Sequence, residues 1–176
     1  MPGLLQNVQI HSQSVGEVLA AILAASARPA TEVLERLSGQ TLGIKVVASG
    51  ERPLDITEQN RLDAEGIVAC RYRTGLLSTR DGTVAAGVFL LWLPARLPFA
   101  ACRELDEGAK PAGKILGPYG MRRADRRALA TDGIEDITGA DAVARSSAVL
   151  MVGGVAVGIA EENVTRVFAE ALAGGC

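Results

Sequence analysis

The stretch that most restricts the fold of this chain runs from Gly66 to Pro94. Gly66–Ser78 and Thr83–Pro94 are two apolar, β-prone arms, and Arg80-Asp81-Gly82 stands between them. Asp-Gly between two such arms signals a hairpin, because the turn needs positive φ and Gly tolerates it. Arms this apolar belong at the centre of a sheet rather than at its edge. The first arm nevertheless carries Arg71 and Arg73, whose spacing of two puts both on one face of a strand. A guanidinium there requires an acidic partner or an anionic ligand, because an unpaired buried charge is costly.

The rest of the chain reads outward from that hairpin. Ser14-Val15-Gly16-Glu17 has capping-box spacing and opens a helix through Val18–Ser26. Pro29 breaks that helix, and a second follows over Thr31–Leu37, ending near Gly39. Leu42–Val47 reads as a strand, Gly50-Glu51-Arg52-Pro53 as a turn, and Asp55–Glu65 as a short helix or loop. Phe99–Leu105 is helical, and Pro111 suits the first turn of a short helix. Arg122, Arg123, Arg126 and Arg127 fall within Met121–Asp132, a solvated edge strand or loop, or else an anion-attracting rim. Asp132–Gly139 reads as a loop. Gly153-Gly154 joins Ala142–Val152 to Val155–Glu161 as another hairpin. The tail Thr165–Ala173 is helix-like and suited to cover the sheet or a partner subunit in a homo-oligomer. Hairpin after hairpin, with helices grouped towards the N-terminus, predicts an α+β fold. Its core is a single antiparallel sheet of about six strands with helices packed on one face. Residues 1–176 are expected to form one domain.

Several chemistries are disfavoured. The net charge of −2 supplies no basic field for nucleic acid. Val84–Leu93 is too short to span a bilayer, and Met1–Asn7 lacks the positive start of a signal peptide. Cys70, Cys102 and Cys176 are odd in number and scattered, which reads as free thiols in a reducing cytoplasm. Cys70 reads as a small buried hydrophobe, since a reactive thiol needs a basic neighbour and the one histidine, His11, is distant in sequence. One His and three scattered Cys make no ordinary zinc site. No Walker loop, dinucleotide fingerprint or nucleophile elbow is present. What remains is acid–base, electrostatic or binding chemistry from Arg and Glu, with no cofactor and no metal.

The order of parts resembles the chorismate lyase family, whose fold also serves as the ligand-sensing domain of GntR-type repressors. Ala30-Thr31-Glu32-Val33-Leu34-Glu35 sits where that family has a Ser-Met-Thr-led helix start. Arg73-Thr74-Gly75-Leu76-Leu77 with Asp81-Gly82 resembles its Arg-Glu-x-x-Leu strand and turn, and Val88–Pro94 its return strand. Lys110–Leu116 resembles its Pro-Leu-Gly segment, and Gly154–Glu161 its last hairpin, which ends in Thr-Glu. The resemblance implies a lyase that removes pyruvate from chorismate or a related cyclohexadiene acid, or else a non-catalytic aromatic-acid binder. It implies a catalytic pair, Arg73 gripping the ring carboxylate and Glu161 meeting the ring hydroxyl. Arg71 competes with Arg73, because the spacing to the turn glycine is one residue longer than in the family. Ala30, Thr31, Ala112, Gly113 and Lys114 are the implied substrate-binding residues. Lys114, or an arginine of 122–127, would aid the leaving group. Ala30 and Ala112 replace larger family residues and would enlarge the pocket. Residues 1–41 are too few and too apolar to hold the winged-helix domain that precedes such repressor sensors.

Overall fold

A computed structural model of the chain describes residues 14–67, 69–135 and 141–174. Met1–Asn7, His11, Cys176 and residues 136–139 of the loop expected over Asp132–Gly139 lie outside the described residues.

The expected architecture is the observed one. Six antiparallel strands form one sheet in the order β1-β2-β3-β6-β5-β4. They are β1 Gly43–Pro53, β2 Ala69–Ser78, β3 Val84–Trp92, β4 Arg122–Glu135, β5 Asp141–Val152 and β6 Val155–Thr165. The helices are α1 Val15–Ala25, α2 Ala30–Ser38, α3 Ile56–Leu62, α4 Phe99–Glu107, α5 Ala112–Leu116 and α6 Arg166–Gly174. The hairpin of the apolar arms is β2–β3, and β3 lies beside β6 at the centre of the sheet. Asp81 shapes its loop by accepting from the Thr83 N–H, and Gly82 takes φ +91°.

Capping explains the helix starts. Ser14 and Glu17 close a reciprocal capping box on α1, and Asp55 and Glu58 close another on α3. Pro29 and Pro111 stand at the N-caps of α2 and α5. Gly39 ends α2 in the left-handed conformation.

Three expectations need correction. Residues 132–135, expected as loop, continue β4, because Ile134 and Glu135 pair with Ala142 and Asp141 on β5. Gly50–Pro53 is strand, not turn: Gly50 pairs with Tyr72 and Glu51 with Arg71. The two-stranded pairing with β2 overrides the local turn preference of Gly and Pro, and Pro53 is accommodated because β1 is an edge strand. The arginine-rich segment is an edge strand, as one reading had it, but Arg123 is buried rather than solvated.

Register sorts the side chains into two faces. Arg73, Leu90 and Ala160 stand in one row across β2, β3 and β6. Tyr72, Leu91, Ile159 and Val149 stand in a row on the opposite face. The first face carries α1, α2 and α6 over Leu77, Ala86, Ala144 and Val164, and α4 and α5 over Leu90, Trp92 and Leu150. Helix α3 covers part of the second face through Leu62. Each fully covered leucine contributes roughly 1.5–3 kcal/mol. The several-helix face therefore holds most of the core, and a gap left in it is a departure to be explained. No helix among the described residues is long and apolar enough to cross a membrane. Cys70 and Cys102 are free and buried, and burial pushes both thiols up.

Candidate functional site

Such a gap lies on the helix-covered face. Its floor is Val88, Leu90 and Ala160 on the central strands, and its two walls are Pro29-Ala30-Thr31 and Pro111-Ala112-Gly113. The walls meet closely: a Cβ on Gly113 would lie 2.5 Å from the Pro29 Cβ, so only glycine lets α5 and α2 approach this far. The cleft measures about 470 Å³ counting its open mouth. Ala30 and Ala112 both lie in its walls.

Arg73 and Arg123 enter the lining from opposite sides, on β2 and β4. Arg73 is 1% exposed. Its Nη1 donates to the Leu105 carbonyl at 3.0 Å and its Nη2 to the Lys110 carbonyl at 2.8 Å. It thereby ties the end of α4 and the approach to α5 onto the sheet. Nε has no partner, and no acidic side chain among the described residues pairs with this guanidinium. Burial pulls its pKa down to about 10, the mark of a charge without compensation.

Arg123 is held differently. Its Nη1 donates to the Leu23 carbonyl at 3.1 Å and its Nη2 to Ser146 Oγ at 3.2 Å, with Glu162 Oε2 at 3.6 Å. Ser146 donates in turn to Glu162 Oε2 in a short hydrogen bond. Ser146 and Glu162 are direct cross-strand partners. Burial pushes the Glu162 carboxyl above the usual range, against the opposing pull of Arg123 and the Ser146 hydroxyl.

The residues expected from sequence divide. Arg73, Ala30, Thr31, Ala112 and Gly113 are brought together around the cleft. Arg71 is not: it lies at the surface, donating to Glu51 at 3.0 Å and to Asp106, so it finds the acidic partners that Arg73 lacks. Lys114 is outside the lining, paired with Glu35 at 2.7 Å. Glu161 is among the lining residues, but it is paired in register with Phe89 and Ser147, and the pleat turns its side chain away from Arg73. The glutamate on the Arg73 face is Glu162, one residue on. A slip of one residue exchanges faces completely. The parity of β6 was the available signal: Ala160 lies in the Arg73 row, so residue 162 shares its face and residue 161 does not. Ser146 and Glu162 are the polar residues that sequence reasoning missed, and Arg123 is the one arginine of 122–127 that enters the lining.

A second, wider cleft opens on the other face beside Arg61, Arg96 and Asp125. Its cations are committed. Arg96 donates to the Leu62, Asp63 and Ala156 carbonyls, and Arg61 to Asp125 and Ser147.

No family model and no curated protein matches the sequence. Among solved structures the chain is similar to the effector domain of PhnF from Mycobacterium smegmatis, with a TM-score of 0.61 and 13% identity over 80% of this chain and 90% of that one. Against the structure of PhnF itself the TM-score is 0.59 at 13% identity, over 79% of this chain. The chain spans 64% of that protein's length. It is also similar to the ligand-binding domain of a GntR-family transcriptional regulator from Bordetella bronchiseptica, with a TM-score of 0.53 and 10% identity over 70% of this chain and 84% of that one. At these identities the likeness is one of fold.

Proposed function

We propose that this chain is a small-molecule-binding domain that takes a flat organic acid in the cleft above β3 and β6, with the acid's anionic group at Arg73. One observation carries the reading: a guanidinium 1% exposed, at the wall of a cleft, with no acidic partner among the described residues. Burying such a charge is costly unless something anionic joins it. Carboxylates and phosphates are the natural partners of a guanidinium. The fold neighbours that are ligand-binding and effector domains of regulators support binding as the role. An aromatic or cyclohexadiene carboxylate is the ligand class that the sequence resemblance implies, and the apolar floor of Val88, Leu90 and Ala160 suits its ring.

Binding without turnover is favoured over release of pyruvate from chorismate. A lyase needs a free cation where charge develops on the departing enolpyruvyl oxygen. Lys114 is paired outside the cleft, and Arg123 is already engaged with Ser146 and Glu162. The test is calorimetric titration with benzoate and 4-hydroxybenzoate, alongside incubation with chorismate watched in the ultraviolet for 4-hydroxybenzoate. Binding that weakens by tenfold or more in Arg73→Met, with chorismate unconsumed, is the expected result. A charge-assisted hydrogen bond of about 1.5–3 kcal/mol sets that scale. Undiminished binding in Arg73→Met would remove Arg73 from the role, and steady formation of 4-hydroxybenzoate would restore the lyase reading.

A further inference from the structure

Without a ligand, Arg73 is occupied by the chain itself. Its amino groups donate to the Leu105 and Lys110 carbonyls, while Nε has neither a partner nor contact with solvent. The two carbonyls are not held alike. Leu105 belongs to α4 and is buried in the core. Lys110 ends the strap Gly108–Lys110, which joins α4 to Pro111 at the N-cap of α5. Ala109 and Lys110 are exposed.

We infer that Gly108–Lys110 is a ligand-operated strap: an acid that takes Arg73 displaces the Lys110 carbonyl and frees the strap, so that occupancy of the cleft is felt at the outer surface. The inference rests on the reading of Arg73 as the anchor of an organic acid and adds what binding there changes elsewhere.

Three features support it. First, the edge of a guanidinium that a carboxylate grips side-on carries Nε and Nη2. In Arg73, Nε is the atom without a partner and Nη2 is the donor held by Lys110. An acid on this edge competes with the Lys110 carbonyl and leaves the bond from Nη1 to Leu105 alone. The carboxylate is the stronger acceptor, since both partners are then charged. Second, Nε is sealed, so an anion reaches it only where a neighbour yields. The other elements of the cleft are fixed more firmly. Strands β2 and β3 are interior to the sheet, α2 is buried through Ala30 and Thr31, and Gly113 seats α5 against Pro29. Third, the strap has little else to hold it. Among the described residues its N–H groups make one backbone hydrogen bond, from Gly108 to the Glu104 carbonyl at 3.3 Å. Lys110 Nζ pairs with Glu104 at the surface, a kind of contact that contributes little. Gly108 stands at φ +70°, where an added Cβ would lie 2.8 Å from Val46 Cγ2.

The test is NMR relaxation of the backbone amides of the whole chain, with and without saturating benzoate. Order parameters at Gly108, Ala109 and Lys110 should fall from about 0.85 to below about 0.6 on binding, while those of α4 stay high. Ligand-free Arg73→Met should show the same loose strap. A strap already loose in the free wild type, or still rigid in Arg73→Met, overturns the inference whatever binds. Gly108→Ala separates a strap from a mere wall. The methyl strains the strap without touching Arg73 or the lining of the cleft. Coupling is reciprocal, so calorimetry should find benzoate bound about threefold more tightly or better. A segment that only shapes the cleft would weaken binding when strained, and weakened or unchanged affinity contradicts the inference. Should Arg73→Met fail to fold, Gly108→Ala decides alone. Benzoate binding that depends on Arg73 but leaves the strap rigid sinks this inference and leaves the Arg73 reading standing. Absence of benzoate binding sinks both.

Discussion

Two arginines two residues apart on one strand show how environment, not residue type, assigns a role. Arg71 is exposed and ion-paired, whereas Arg73 is sealed against backbone carbonyls beside a cleft. Glu162 is the residue whose titration should report on the site. Folding raises its pKa above the unfolded value of about 4.3. A group shifted in that direction contributes its stability below the unfolded pKa, and the contribution is lost as pH rises through the folded one. The stability of the wild type relative to Glu162→Gln should therefore fall as pH climbs above the unfolded pKa and level off once the folded pKa is passed, by urea denaturation at a series of pH values. A difference that is flat across that range would contradict the burial assigned to this carboxyl. Arg73 was legible in the sequence because an Arg-x-Arg pair in an apolar arm demands partners. Glu162 was missed because Glu161 and Glu162 are chemically identical neighbours, and only the pairing register tells which of them faces the cleft.

Elements, more than residues, decide what the cleft can hold. Helices α2 and α5 both start on a proline at its rim, and Gly113 lets them touch. Gly113→Ala should cost about 1–3 kcal/mol, the usual penalty for an added methylene in a packed place. It should also weaken benzoate binding, because the α5 wall must shift; urea midpoints and the same titration read both effects. Full stability with full binding would show that the contact with Pro29 is not a constraint. On β4, a bulge between Ala124 and Arg127 resets the pleat, with Asp125 at φ +42° and gripped by Arg61 at 2.8 Å. Arg123, paired with Leu150, therefore faces the cleft, while Arg127, paired with Ser147, faces the other way. No periodicity in Met121–Asp132 announces that reset, which is why the four arginines read as one solvated group. Proline and paired glycines, by contrast, announced the helix starts and the β5–β6 turn plainly. Gly153 and Gly154 both take positive φ, at +58° and +81°.

At the scale of the whole molecule, six strands in one antiparallel sheet were foreseeable, because apolar runs alternated with turn residues and left no room for crossover helices. What sequence pattern could not supply was how strands distant in the chain line up. The order β2-β3-β6-β5-β4 brings residues 73, 123 and 162 to one face of one sheet. The central claim is that this face binds an organic acid with its anionic group at Arg73. The most direct measurement is a crystal structure of the chain with 4-hydroxybenzoate. The account predicts the carboxylate against the Arg73 guanidinium, with the ring lying over Leu90 and Ala160. A ring bound instead in the cleft beside Arg61 and Arg96, or one that leaves Arg73 untouched, would contradict it.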